Sequence, residues 1–128
     1  MSDIKIKNKK IKLQSDEGFC YILASFNNTK VSFTNLKGDV ISWSSSGKCG
    51  FRGSRKSTSY AAQTAVLDAG TTALTYGLKN VSIIVSGPGA GRESAIRAVH
   101  SLNINIFKLK DSTKVAHGGC RRKKPRRV

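Results

Sequence analysis

Acidic residues are scarce in this chain. Its 128 residues carry 7 Asp+Glu against 23 Lys+Arg, a formal net charge of +16 and a pI near 10.3. That imbalance makes a polyanion the expected partner, nucleic acid ahead of an acidic membrane surface. Long hydrophobic runs are missing as well. A membrane-spanning helix needs about 17–25 consecutive apolar residues, and no stretch here exceeds a handful. No Gly-X-Y period and no sustained heptad occurs, which excludes collagen and coiled-coil folds. The three cysteines, Cys20, Cys49 and Cys120, are odd in number and show no C-x-x-C spacing, so they read as reduced thiols. His117 and Cys120 stand in H-x-x-C order, but zinc needs about four ligands and His100 is predicted on a helix. No metal and no cofactor is expected. The seven acids are scattered without a spacing that implies a carboxylate pair, and nothing points to a nucleophilic triad.

What is present is concentrated. Residues 1–12 hold five Lys, and residues 117–128 hold six basic side chains and no acid. The ends thus carry +10 of the +16. Blocks of like charge repel, do not pack, and order against a polyanion. The expected organisation is a basic N-terminal arm over 1–17, an α/β domain over 18–111 and a basic extension over 112–128. Apolar residues, at 38%, suffice for one modest core.

Within the domain, Phe19–Phe26 reads as a strand ended by Asn27-Asn28, a pair suited to a tight hairpin turn through positive φ. Lys30–Thr34 alternates polar and apolar residues, and Val40–Trp43 is a third strand, completing an antiparallel meander. Ser44–Lys56 is non-periodic. A helix follows, with N-cap hydroxyls at Ser57, Thr58 and Ser59. Its inward face is Ala62, Val66, Ala69, Ala73 and Tyr76, with Gly77 at C′. Val81–Ser86 is a buried strand, Gly87–Gly91 a tight loop and Arg92–Leu102 a second helix. Asn103–Lys110 alternates over eight positions and makes the last strand. The order βββαβαβ predicts one mixed five-stranded sheet with two helices.

Three clusters could carry chemistry. Lys48-Cys49-Gly50-Phe51-Arg52-Gly53-Ser54-Arg55-Lys56 puts four cations in nine residues ahead of a helix N-terminus. Phe51 and Trp43 could stack on a base, and arginine forks suit phosphates and base edges. The competing reading is a solvated loop. Gly87-Pro88-Gly89-Ala90-Gly91-Arg92, between strand and helix, is the basis of a rival nucleotide-enzyme hypothesis. Its third glycine falls one place early for G-x-G-x-x-G, and Gly47-Lys48 lacks the remainder of a P-loop. A helix N-terminus facing a phosphodiester, with Arg92 and Arg97 alongside, fits better; a purely structural turn fits equally well. The third cluster, His117 to Val128, combines Gly118, Gly119 and Pro125 with Arg121, Arg122, Lys123, Lys124, Arg126 and Arg127. It reads as an extended cationic arm able to thread RNA, against a disordered tail or sorting signal.

From Gly18 onward these residues resemble a known family, the universal small-subunit ribosomal protein family eleven. The resemblance is carried by Ala24-Ser25-Phe26-Asn27-Asn28-Thr29, Ser42-Trp43-Ser44-Ser45, Gly50–Lys56, Tyr60-Ala61-Ala62-Gln63, Gly87-Pro88-Gly89 with Gly91–Ala98, and His117 with Gly119-Cys120-Arg121. It implies a ribonuclease-H-like mixed sheet without nuclease activity. It also implies a structural role at the platform of the small subunit, near the messenger RNA exit. The implied partners are small-subunit rRNA, messenger RNA near the exit, the ribosomal proteins six–eighteen pair, protein seven and, in bacteria, protein twenty-one. No membrane is involved. Together with the basic clusters, the resemblance makes Asn27, Asn28, Lys30, Trp43, Ser44, Ser45, Lys48, Phe51, Arg52, Gly53, Ser54, Arg55, Lys56, Gly87, Pro88, Gly89, Gly91, Arg92, Arg97, His117, Gly119, Cys120, Arg121, Arg122, Lys123, Lys124, Arg126 and Arg127 the expected RNA-contacting set.

The chain departs from the family pattern at Ser57 and Ser59, at Lys114-Val115-Ala116, at Gly118, and at Arg122-Lys123. These changes and the Lys/Asn/Ile-rich start suggest an AT-biased organellar genome. Met1–Lys5, with its early Asp3 and no Arg, is unlike a transit peptide. The expected site of work is therefore the mitochondrial matrix, in an organelle that makes the protein itself, ahead of a bacterial cytoplasm or plastid.

Overall fold

The computed structural model describes residues 16–127. The expected N-terminal arm therefore lies, for residues 1–15, outside the described residues. Strands β1 (Glu17–Ala24), β2 (Thr29–Asn35) and β3 (Val40–Ser45) form the antiparallel meander. A short 3₁₀ helix (Gly53–Ser57) leads into α1 (Ser59–Thr75). Then come β4 (Asn80–Ser86), α2 (Gly91–Ser101) and β5 (Asn105–Asp111). The sheet order is β3-β2-β1-β4-β5, with β4 parallel to both β1 and β5. This is the mixed five-stranded α/β fold that the sequence pattern predicts.

Alternation along the strands sends one set of side chains beneath the helices. Cys20 and Ile22 of β1, Val31 and Phe33 of β2, and Val81, Ile83 and Val85 of β4 are buried there. They meet Ala65, Val66, Ala69 and Ala73 of α1 and Ala95, Ala98 and Val99 of α2. The alanine face lets α1 approach closely. Gly70 matters for the same reason, since a Cβ there would lie 2.2 Å from Leu102 Cδ1 at the end of α2. Tyr76, expected inward, is half-buried at the C-cap. Burial also pushes the Cys20 thiol far up, so it acts as a core residue and not a nucleophile.

The local turns use devices that composition did not disclose. Asn27 and Asn28 do not adopt positive φ. Instead Ser25 closes the β1–β2 connection: its backbone N–H and its hydroxyl both donate to the Asn28 carbonyl, at 2.8 and 3.0 Å. The residue that does take positive φ is Asn103, at 60°, just past α2. It ends the helix in the manner usual for Asn, so β5 starts at Asn105, two residues later than expected. Gly77 (φ 92°) ends α1 as predicted, with Gly77 N–H donating to Leu74 O and Leu78 N–H to Ala73 O. Strand β5 is also less buried than its alternation suggests. Its register shifts between Val81 and Ser82 of β4, leaving Phe107 without a partner, and only Ile106 is half-buried. From Ser112 to Arg127 every residue is exposed and no regular element forms.

Candidate nucleic-acid interface

The segment after β3 coils tightly before it presents its cations. Ser46 N–H donates to Thr29 O, Cys49 N–H to Ser45 O and Phe51 N–H to Ser46 O. Gly50 sits at φ 97°, a conformation that L side chains rarely adopt. Lys48 turns back: its Nζ lies 3.1 Å from Asp68 Oδ2 on α1 and 5.1 Å from the centre of the Trp43 ring. Ser44 is buried and donates to the same Asp68 oxygen at 2.8 Å. The Ser44 hydroxyl and the Lys48 ammonium together hold the Asp68 carboxyl below the usual carboxylate range. Two of the expected RNA contacts, Ser44 and Lys48, are thus engaged in pinning the loop to α1.

Arg52, Arg55 and Lys56 differ. Among the described residues none of them has a carboxylate within ion-pairing distance. Arg52 and Arg55 are exposed and, with Cys49, Gly50 and Phe51, line an open cavity of about 470 Å³. Phe51 is half-buried and meets Tyr60 edge-on, with ring centres 5.8 Å apart. Tyr60 is 69% exposed and joins this surface. In the sequence Tyr60 stands out only within the family resemblance; an aromatic one residue into the helix after a basic run is the signal that marks it. The first turn of α1 has no acid, and Thr58 accepts one of its N–H groups, from Ala61. The arrangement is a set of arginine forks around a helix N-terminus, next to ring faces and edges, which suits phosphates and bases together.

The Gly87–Gly91 loop is built for packing. A Cβ on Gly87 would lie 2.2 Å from Ala24 O, and one on Gly89 would lie 2.3 Å from Ser25 O. The Gly89 N–H donates to Ala24 O at 2.7 Å, and the Gly87 N–H to Thr113 Oγ1 at 3.2 Å. Those two amides are therefore not free to cradle a phosphate. Arg92 is committed as well: it donates to Gly87 O at 2.9 Å and to Asp111 Oδ2 at 2.6 Å. Gly91 is buried against Thr29 and Ala62. Pro88 is exposed, and Arg97 projects into solvent, within 3.8 Å of Glu93. Of the equally weighted readings of this loop, the geometry matches the structural turn.

Lys30 and Trp43 emerge on the sheet face opposite the helices. Asn27 is exposed, whereas Asn28 caps its own turn by accepting from Thr29 N–H. Ser45 accepts from Lys48 N–H, and Ser54 O accepts from Ser57 Oγ. Gly53 adopts φ 59° at the start of the 3₁₀ helix. His117, Gly119, Cys120, Arg121, Arg122, Lys123, Lys124, Arg126 and Arg127 all lie on the exposed extension. Among the described residues no group of three His, Cys, Asp or Glu could hold a metal ion, and no helix is long and apolar enough to cross a membrane.

These features define a small, strongly basic α/β domain with a cationic loop and a cationic extension. The family model described as Ribosomal protein S11 matches residues 18–127, and the chain belongs to that family. Similar proteins share about half their residues with it along nearly the whole length. A protein of Pseudoalteromonas atlantica named small ribosomal subunit protein uS11 is 52% identical over 124 residues, covering 97% of this chain and 95% of its own. Those so named in Pseudomonas putida and Shewanella pealeana are 53% and 51% identical over 120 residues, covering 94% of this chain and 93% and 92% of theirs. All three are bacterial. The mitochondrial expectation finds no support in them: a Lys/Asn/Ile-rich composition reports base bias, which is not confined to organelles.

Proposed function

We propose that this chain is a structural constituent of a bacterial-type small ribosomal subunit and carries no catalytic activity of its own. It holds small-subunit rRNA through two devices: Arg52, Arg55 and Lys56 around the start of α1, and the extension from His117 to Arg127. The observation that carries this reading is that those three loop cations have no ion-pair partner among the described residues, in a member of the ribosomal protein S11 family. Lys48 and Ser44 serve the same function indirectly, by fixing where the loop starts. The finer placement is the platform near the messenger RNA exit, beside the six–eighteen protein pair, protein seven and protein twenty-one. It rests on the resemblance of Gly50–Lys56 and Gly119–Arg121 to the family pattern. The N-terminal arm, short of Glu17, which opens β1, and the extension over 112–128 then act as RNA-dependent extensions of the domain.

The test is sedimentation. The protein should travel with small subunits through a high-salt wash, and the purified chain should bind structured rRNA without saturable affinity for ATP or NAD. Release into the wash, or micromolar nucleotide binding insensitive to salt, would overturn the reading.

A further inference from the structure

Among the described residues, the two helices cover one face of the sheet and leave the other open. Across the five strands, in register, one row of that open face reads Trp43, Ser32, Tyr21, Ile84 and Lys110. Trp43 is 57% exposed and Tyr21 40% exposed. The small Ser32 between them leaves the two aromatic side chains on strands about 10 Å apart. Phe19 backs Tyr21, with ring centres 6.1 Å apart. Two apolar positions of the face have a lysine beside them: Leu23 pairs with Lys30 and Ile84 with Lys110, while Lys108 pairs with Ser82 one row along. Among the described residues on these strands, Glu17 is the only carboxylate directed to this face, at the far end of β1 from Leu23. Asp111 has the opposite parity and is held by Arg92.

We infer that the open sheet face is a stacking platform for unpaired bases of RNA, with Trp43 and Tyr21 taking bases and Lys30 and Lys110 the flanking phosphates. This rests on the rRNA-binding reading above and adds a second surface to it, across the sheet from the helices. A sheet with exposed aromatics and no covering layer offers flat rings to bases, and lysines between the rings track the backbone. Charge decides between the candidate occupants. An apolar protein segment covering Leu23 and Ile84 would have to desolvate Lys30 and Lys110, neither of which is ion-paired among the described residues, whereas RNA brings a phosphate to each. A shallow cavity of about 650 Å³, bounded by Tyr21, Lys30, Ile84, Pro88 and Lys114, continues the face toward the C-terminal extension.

Trp43 is the single tryptophan of the chain, so its emission reports on the open face and on Lys48 beside its ring. The full-length protein is titrated with an unstructured oligouridylate, and separately with heparin, a polyanion without bases. The oligonucleotide should quench Trp43 saturably, while heparin should bind and leave the emission in place. Tyr21→Ala should weaken oligonucleotide binding about tenfold, with circular dichroism unchanged. Equal responses to both polyanions, or wild-type affinity in Tyr21→Ala, would overturn the platform. If the platform fails while a structured rRNA fragment still binds, only this inference falls. If neither RNA binds, the rRNA-binding reading falls with it. In assembled subunits, a benzoylphenylalanine at position 32 should couple to RNA; coupling to a neighbouring protein would overturn the inference.

Discussion

Arg92, at the first turn of α2, grips Asp111, the last residue of β5, with Nη2 and Oδ2 2.6 Å apart. The same guanidinium also donates to Gly87 O, so one side chain ties the loop, the helix and the edge strand together. An arginine that looked available for RNA is instead a structural clamp at the point where the C-terminal extension leaves the sheet. Asp111 is further held by Thr113, and Ser112 N–H continues the pairing to Val85 O.

Replacing Arg92 should therefore be read out in stability. Arg92→Ala loses the charged hydrogen bond to Gly87 O, about 1–2 kcal/mol, besides the ion pair. Asp111→Asn should cost less, because it keeps the Gly87 contact. Amide exchange at Ser112 and Thr113 should accelerate in both variants. Intact stability in Arg92→Ala, together with lost RNA affinity, would make the arginine a ligand for RNA and not a clamp.

The two glycines before α2 should be more sensitive than the glycine of the extension. Gly89→Ala places a methyl against the Ser25 carbonyl and should cost about 1–3 kcal/mol or more, measured by denaturant unfolding. Gly119 meets nothing within 4 Å and has no positive φ. Gly119→Ala should stay within about 0.5 kcal/mol of the parent. If the two variants were equally stable, the close-packing account of the loop would be wrong.

How much of this was legible in the sequence depends on how local the cause is. The alanine stripe of α1 and the Gly77 stop are written within one element, and both are found where the pattern put them. The 3₁₀ helix over Gly53–Ser57 is too short to show a period. Asn103 looked like the first residue of a strand because Ile104 and Ile106 alternate after it, yet its left-handed turn belongs to the helix behind. The role of the Gly87–Gly91 loop was undecidable from spacing. A phosphate cradle and a tight packing corner ask for the same glycines, and only the position of the Ala24 and Ser25 carbonyls, more than sixty residues earlier in the chain, separates them. The open sheet face was invisible for a related reason: strand alternation says which residues share a face, but not which face a helix covers.

Asp68 links the loop to pH. Its carboxyl titrates below the ordinary value of about 3.9 because Ser44 and Lys48 hold the charged form. A depressed acid stabilises the fold fully above that ordinary value and loses the contribution as pH falls through the lower one. Lys48 and Asp68 side chains are each 45% exposed, so solvent screening limits the effect to about 1 kcal/mol or less. Carboxyl chemical shifts should place the midpoint below 3.9, and Lys48→Ala should move it upward. A midpoint at the ordinary value would mean the pin is open in solution.

The loop cations should matter for RNA and not for folding. Replacing Arg52, Arg55 and Lys56 together by Ala should weaken rRNA binding by several kcal/mol, at roughly 1–3 kcal/mol for each good base contact and less for phosphate contacts. Thermal unfolding should hardly change, because Arg52 and Arg55 are exposed and none of the three lies in the core. Unchanged affinity in the folded variant would show the loop to be a solvated surface.

The extension gives the sharpest electrostatic signature. Residues 121–127 carry six cations, and from Ser112 to Arg127 every residue is exposed, so little apolar surface is at stake. Each phosphate neutralised releases counterions, and the log of affinity should fall with the log of salt by roughly 0.7–0.9 per contact. Deleting 119–128 should flatten that slope by about 3–5 units, since not every cation reaches a phosphate. The deletion starts well past Thr113, which among the described residues is the last bonded back to the fold, through Gly87, so the unfolding midpoint should be unaltered while incorporation into small subunits drops. The measurement is a salt titration of both forms on one rRNA fragment. Identical slopes would mean that the extension touches no RNA, and the loop around α1 would then have to account for binding without it.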